Sequence, residues 1–219
     1  MDYLEVMNSE FFKNHYAMVE ELKKDFPINH GFLHVSHVLE NAKLVAKELG
    51  LDKKETELLL VAAALHDVGY TKGREEHATN GAKLVEDFLK QSNFESSDIE
   101  QICYAIANHN GRNKHAFNNK IATALVLADK MDFVKSRYDS RAWQHESMIP
   151  FLYVEKVCFK NLSDKAVLEV YSTRLELLEF SKGNYFFDKL TSILENTQLL
   201  MNKPVEIELF NSEKNLTNE

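Results

Sequence analysis

The stretch Leu58 to Leu65, LLLVAAAL, is apolar on every face and runs directly into His66 and Asp67. A helix without a polar face cannot lie on a protein surface; other elements have to enclose it. The run falls far short of the roughly 20 apolar residues that a bilayer crossing needs, so protein and not lipid must enclose it. The chain can supply that enclosure. It has 219 residues, 44% of them hydrophobic, enough for one well-filled domain or a domain with a modest appendage. Seven glycines and three prolines are scarce for this length, since ordinary usage is roughly 12%. That scarcity excludes disordered, collagen-like and turn-dense all-β chains and favours long helices. Five of the glycines, Gly31, Gly69, Gly73, Gly81 and Gly111, lie within four residues of a histidine.

Apolar spacing predicts helices over about 4–25, 33–49, 53–67, 79–91, 97–109 and 120–135. Gly50 caps the second of these, and Ser96 and Ser97 ahead of Asp98 and Glu100 mark the start of the fifth. Beyond Pro150 the texture changes. Tyr153, Val154, Val157 and Phe159, then Val167, Leu168 and Val170, flank the turn-like NLSDK and predict a hairpin. A helix over about 184–201 and an alternating run, Val205 to Phe210, follow. The expected architecture is a mainly α bundle over 1–145 and a small α+β unit over 150–212, built of antiparallel strands plus a helix. Residues 213–219 form an expected frayed tail. The aromatic trio Tyr185, Phe186 and Phe187 is compatible with a homodimer interface, although a private core is the simpler reading.

Charge narrows the partners. Twenty-six Lys and Arg against 34 Asp and Glu give a net charge of −8, which excludes general binding to a nucleic-acid duplex. One small phosphorylated ligand on a local basic patch remains open. Cys103 and Cys158 fit no motif spacing and are expected to be reduced. The opening MDYLEVMNSE lacks a basic n-region and an apolar h-region, so a cytoplasmic, membrane-free protein is expected.

Nine histidines are about twice the usual share, and their placement carries the chemistry. An ionised Asp beside a His at the end of a buried helix costs several kcal/mol unless compensated. A divalent cation compensates both, and a nitrogen and carboxylate donor set suits Fe, Mn, Zn, Co or Ni better than Ca. His34 stands near the start of the preceding helix in HVSHV. His77 opens another in REEHATNG, and His109 closes DIEQICYAIANH on one stripe with Ile102 and Ile106. Asp129 interrupts the apolar face of Ile121, Leu125 and Ala128. One histidine on an apolar face is most often a packed or capping residue, and Asp129 alone could simply pair with Lys130. Five such placements on five helices favour a metal site. His30 and His37 flank His34 as pocket-wall candidates, while His15, His115 and His145 sit in polar stretches and are expected in solvent.

The order His34, His66-Asp67, His77, His109, Asp129 resembles the HD superfamily of metal-dependent phosphohydrolases. Its hallmark is a His, a later His-Asp doublet and a distant Asp in a helical bundle. The resemblance covers about residues 30–135. It implies His34, His66, Asp67 and Asp129 as ligands of one divalent ion (Fe, Mn, Mg, Co, Ni or Zn). It further implies His77 and His109 as ligands of a second, with Asp67 bridging the two. Many relatives carry a Lys directly after the Gly of the HDxG segment; here Tyr70 stands there, with Lys72 and Arg74 beyond.

The implied activity is hydrolysis of a phosphomonoester or phosphodiester of a small, nucleotide-like molecule by a metal-activated hydroxide. Asp67, Lys72, Arg74 and Lys130 are the candidate catalytic residues, and Arg112 and Arg137 extend the basic set. The alternatives are a metal-stabilised nucleotide-sensing module without turnover and a di-iron oxygenase.

Overall fold

The computed structural model describes residues 1–22, 27–179 and 183–212. Two short helices, α1 (Tyr3–Asn8) and α2 (Glu10–Leu22), replace the first expected helix. Ser9 divides them: its Oγ donates to the Val6 carbonyl at 2.6 Å and accepts from the Phe12 amide at 3.2 Å. A side chain that serves the backbone in this way competes with a continuous helix. Residues 23–25 of that expected helix lie outside the described residues.

The bundle continues with α3 (Phe32–Glu48), α4 (Lys53–Leu65), α5 (His77–Leu89), α6 (Ser96–Asn108) and α7 (Lys120–Lys130). Asp52 caps α4 through a reciprocal capping box with Glu55, which satisfies two otherwise orphaned amides. All residues from Leu58 to Leu65 are buried, and α1, α3, α6 and α7 surround them. The enclosure demanded by the apolar run is therefore provided by helices. No side chain caps α6; Glu95 occupies that position, and Asp98 pairs with Lys54 at 2.8 Å.

Helix α7 stops at Lys130 rather than continuing to 135. The chain turns there, so that Asp132 points back into the bundle and Arg137 sits in a short 3-10 turn (Lys135–Arg137).

Beyond a 3-10 stretch (Glu146–Tyr153) come β1 (Val154–Asn161), β2 (Ala166–Ser172), α8 (Leu175–Glu179), α9 (Tyr185–Met201) and β3 (Val205–Asn211). The hairpin pairs Phe159 with Leu168 in antiparallel register. Strand β3, expected to be antiparallel, lies parallel to β2, with Val170 opposite Leu209. The reason is topological: α8 and α9 carry the chain back to the end of the sheet where β2 began, and such a crossover yields a parallel pair. The sheet order is β1-β2-β3. Strand β2 is central and buried along nearly its whole length.

Phe151, Val157, Leu168, Leu190 and Ile193 join the same apolar cluster as the bundle helices, so the C-terminal segment packs into the common core. The side chains of Tyr185 and Phe186 and the tail 213–219 lie outside the described residues. Among the described residues, no helix is long and apolar enough to cross a membrane.

Candidate metal centre

Helix ends supply the site. His66 is the residue that terminates α4 and His109 the one that terminates α6, where the last carbonyls of a helix lack amide partners. Each histidine bonds a carbonyl of the last turn, the Ile106 carbonyl also accepting from the His109 amide at 3.3 Å. His66 Nδ1 donates to the Ala63 carbonyl at 2.8 Å, and His109 Nδ1 to the Ile106 carbonyl at 2.7 Å. His77, at the start of α5, donates its Nδ1 proton to the Arg74 carbonyl at 2.7 Å. His34 differs, donating to a side chain: its Nδ1 lies 2.6 Å from Asp132 Oδ2.

A carbonyl can only accept, so the proton of each neutral ring is on Nδ1 and the lone pair on Nε2. Those lone pairs converge. His34 Nε2 and His66 Nε2 lie 3.1 Å apart, and His77 Nε2 and His109 Nε2 lie 3.0 Å apart. Asp67 stands between the two pairs. Its Oδ2 is 3.5 Å from His34 Nε2 and 3.3 Å from His66 Nε2, while its Oδ1 is 3.7 Å from His77 Nε2 and 3.4 Å from His109 Nε2. Asp129 Oδ1 joins the first pair, 3.3 Å from His34 Nε2. The structure thus brings together the six residues singled out in the sequence.

The donor set suits divalent ions. Two facing pairs of unprotonated nitrogens and two carboxylates are all acceptors; all but His77 are buried, where crowded acceptors without a shared cation are costly. Ligand bonds of ~2.1 Å at right angles place adjacent ligand atoms ~3.0 Å apart, which is the spacing of the nitrogen pairs. His34, His66 and Asp129 form one group that could hold an ion, and Asp67, His77 and His109 form another.

Electrostatics agree. Burial works to raise the Asp67 carboxyl, but its imidazole neighbours, His66 foremost, hold it well below the ordinary carboxylate range. Burial acts likewise on Asp129, where Lys130 and then His34 prevail and lower it. Burial pushes His77 down to about 4 despite Asp67. The reverse outcome holds at His66: burial is the largest single influence and lowers it, but Asp67, Asp129 and the Ala63 carbonyl together raise it. A proton and a divalent cation therefore compete for one place at the His66 ring.

Several neighbours were less legible. Asp132, not singled out in the sequence, is buried and accepts from both His34 and His37, the latter at 2.9 Å. Its only signal was a second acid in DKMD, three residues beyond Asp129. His30 Nδ1 lies 3.0 Å from Asp67 Oδ2, and Tyr70 OH lies 3.3 Å from His30 Nε2. The Tyr70 ring packs between His30 and His77, with centroids 4.4 and 4.3 Å away. It therefore serves as a plate against two imidazoles. Tyr16, wholly buried on α2, accepts from the Asp67 amide at 3.4 Å.

Arg137 is buried and donates to the Asp132 carbonyl at 2.7 Å, and Lys130 pairs with Asp129 Oδ2. Arg74, Arg112, Lys130 and Arg137 line the cavity over the site; Lys72 is exposed and not among the lining residues. His115 and His145 are exposed as expected, whereas His15 is half-buried against Phe11, with ring centroids 4.2 Å apart.

Backbone packing sets the positions of His66 and His77. The turn after Asp67 lies so close to α5 that a Cβ on Gly69 would overlap the His77 carbonyl oxygen and the Gly81 amide nitrogen. Gly111, in the loop after His109, has a positive φ of 71°, a conformation that glycine adopts readily.

Helix ends converging on a histidine–carboxylate cluster that could hold metal ions define a helical bundle of the HD type. The chain belongs to the HD domain family, whose sequence profile matches residues 31–140. It is similar to Ribonuclease Y of Mycoplasma genitalium (strain ATCC 33530 / DSM 19775 / NCTC 10195 / G37), 36% identical over 111 residues, a stretch covering 48% of this chain and 21% of that protein. The chain thus matches about a fifth of that relative's length. Among solved structures, a predicted HD superfamily hydrolase from an uncultured Thermotogales bacterium, determined at 1.45 Å, matches over 92% of this chain and 98% of its own, at 19% identity and a TM-score of 0.46.

Proposed function

We propose that the cavity hydrolyses a phosphate ester bond, mono- or diester, of a small, nucleotide-like molecule. The observation that carries this reading is the meeting of an acceptor-only His/Asp cluster and a cationic wall in one cavity of about 630 Å³. Five cationic side chains (Arg74, Arg112, Lys130, Arg137, Lys189) and three acidic ones (Asp67, Glu75, Asp129) line it. In a chain of net charge −8, that local excess of positive charge draws in an anion. The apolar side chains Ile28, Met148 and Phe151 line the same space and offer contact for a sugar and base.

His34, His66, Asp67 and Asp129 would hold one divalent ion, and Asp67, His77 and His109 a second. Fe, Mn, Mg, Co, Ni and Zn are the candidates. Bound there, such ions activate water and neutralise charge on phosphoryl oxygens. The chain's own residues do the positioning. Asp67 presents one oxygen to each imidazole pair, and His30 directs its Nδ1 proton at Asp67. Lys130 and Arg137 offset the charge of Asp129, and Arg74 adds to the cationic wall that an incoming phosphate meets. Lys72, outside the cavity wall, has no such role.

Metal analysis, coupled to a screen for phosphate or nucleotide release from mononucleotides and cyclic dinucleotides, tests the reading. Kinship with Ribonuclease Y, whose name specifies RNA, adds short oligoribonucleotides to the panel. Release that disappears in Asp67→Ala is expected. Binding without release from any member would replace hydrolysis with nucleotide sensing, and dioxygen uptake by iron-loaded protein would point to an oxygenase.

A further inference from the structure

The cationic wall is not uniform. Lys130 is engaged with Asp129, and Arg137 with the Asp132 carbonyl and, at 4.0 Å, with Asp129. These two cations are already engaged with groups of the cluster and its surroundings, Arg137 Nη2 also lying 3.4 Å from His34 Nε2. Lys189 and Arg112 have side-chain head groups with no ion pair or hydrogen bond among the described residues, yet both line the cavity. Lys189 is half-buried and stands among like charges. Burial first, then Lys130, with Arg112 and Arg137 adding to it, push its ammonium down to about 8 against the pull of Asp129. An ammonium held in such a place without an anion is unfavourable, and a bound anion removes the penalty.

Lys189 is also held in place by packing. Ile193, four residues on and so on the same face of α9, is buried against the turn after His109. A Cβ on Gly111 would stand 3.0 Å from Ile193 Cδ1 and 3.3 Å from Val126 Cγ1. Arg112 follows Gly111 in that turn, so the contact that seats α9 also sets Lys189 relative to Arg112. Just ahead of the helix, Asn184 Nδ2 donates to the Ser147 carbonyl at 3.1 Å. The C-terminal segment, outside the matched family region, thus forms one wall of the cavity.

We propose that Lys189, together with Arg112, binds a phosphate group of the substrate other than the one whose ester bond is cleaved. Preferred substrates then carry at least two phosphate groups, as nucleoside polyphosphates and dinucleotides do. The proposal rests on the phosphohydrolase reading above and assigns α9 the selection of substrate within it.

Calorimetry on the full chain with Mn²⁺ at pH 7 tests this, with adenosine 5′-monophosphate and the α,β-methylene analogue of adenosine 5′-diphosphate as probes. The wild type is expected to bind the diphosphate analogue about tenfold or more tighter than the monophosphate. Lys189→Met should erase that ratio, and Lys189→Arg should restore most of it. Unchanged Mn²⁺ stoichiometry and circular dichroism would show that the centre and fold are intact. An unchanged ratio in Lys189→Met, or no preference in the wild type, would overturn the proposal. Ester cleavage by the wild type is measured separately. Cleavage without the ratio change defeats recognition by Lys189 alone, and the ratio change without cleavage of any ester defeats the hydrolase reading alone.

Discussion

His77 Nε2 faces His109 Nε2 across 3.0 Å, and both rings are anchored through Nδ1 to a carbonyl three residues earlier in the chain. Neither nitrogen has a proton to offer the other. His109→Ala therefore removes one half of a two-ion arrangement while His34, His66 and Asp129 remain. Elemental analysis is expected to show about half the wild-type metal content. Unchanged stoichiometry would rule out a dinuclear centre.

Asp67 serves both groups through separate oxygens, so its loss should be felt in both. In Asp67→Ala, metal affinity should fall by two orders of magnitude or more in each, since even indirect partners of a ligand are worth about 10–100-fold. Hydrolysis should vanish with it. Full occupancy together with full activity in this variant would refute the assignment of Asp67.

Asp132 acts through His34 and His37 and makes no approach to the cavity itself. Asp132→Asn should weaken metal binding about 10–100-fold by loosening the His34 ring. It should also lower stability by about 3 kcal/mol, because Arg137 and the two histidines lose their buried anion. Competition with a metal-sensitive dye and chemical denaturation measure the two effects; a variant with wild-type metal affinity would show that Asp132 does not position His34.

Gly69→Ala places a methyl group against the backbone of α5 where His77 begins. Neither side can yield like a flexible side chain, so a loss of about 3 kcal/mol, at the upper end for overpacking, is expected. Thermal melting would read it. A melting temperature within a degree of wild type would show that the two segments are less tightly joined than described.

Burial, reinforced by Glu86, pushes the Cys103 thiol up to about 12. Only the thiolate attacks an alkylating agent. A raised pKa leaves the thiol protonated at pH 8, and the reactive fraction grows only as the pH climbs toward 12. Iodoacetamide at pH 8 should modify native Cys103 on the order of a hundredfold more slowly than the unfolded chain. Equal rates, followed by mass spectrometry, would contradict the burial of this thiol.

The bundle and its six convergent residues were legible because each announces itself locally. The helix of Leu58 to Leu65 must be central, and a His-Asp doublet at its end needs compensation wherever it is. Other features depended on contacts that local pattern does not encode. Alternation over Val205 to Phe210 marks a strand but not its direction, which α9 decides by returning the chain to the start of β2. Helical spacing carries α7 smoothly past Lys130, so the turn that brings Asp132 to His34 left no trace in the periodicity. Lys189 belongs to a segment without a motif and joins the cavity only because Ile193 finds Gly111.

The anchoring of the histidine rings has a genetic corollary. Ala63, Arg74 and Ile106 orient three of the four imidazoles with main-chain oxygens, and every amino acid carries that oxygen. Changing the identity of those residues leaves ring orientation intact wherever the backbone path survives. His34 alone depends on the side chain of one residue, Asp132. Mutational tolerance around the centre is therefore lopsided: three supports are nearly immune to point mutation, and the fourth can be lost in a single step.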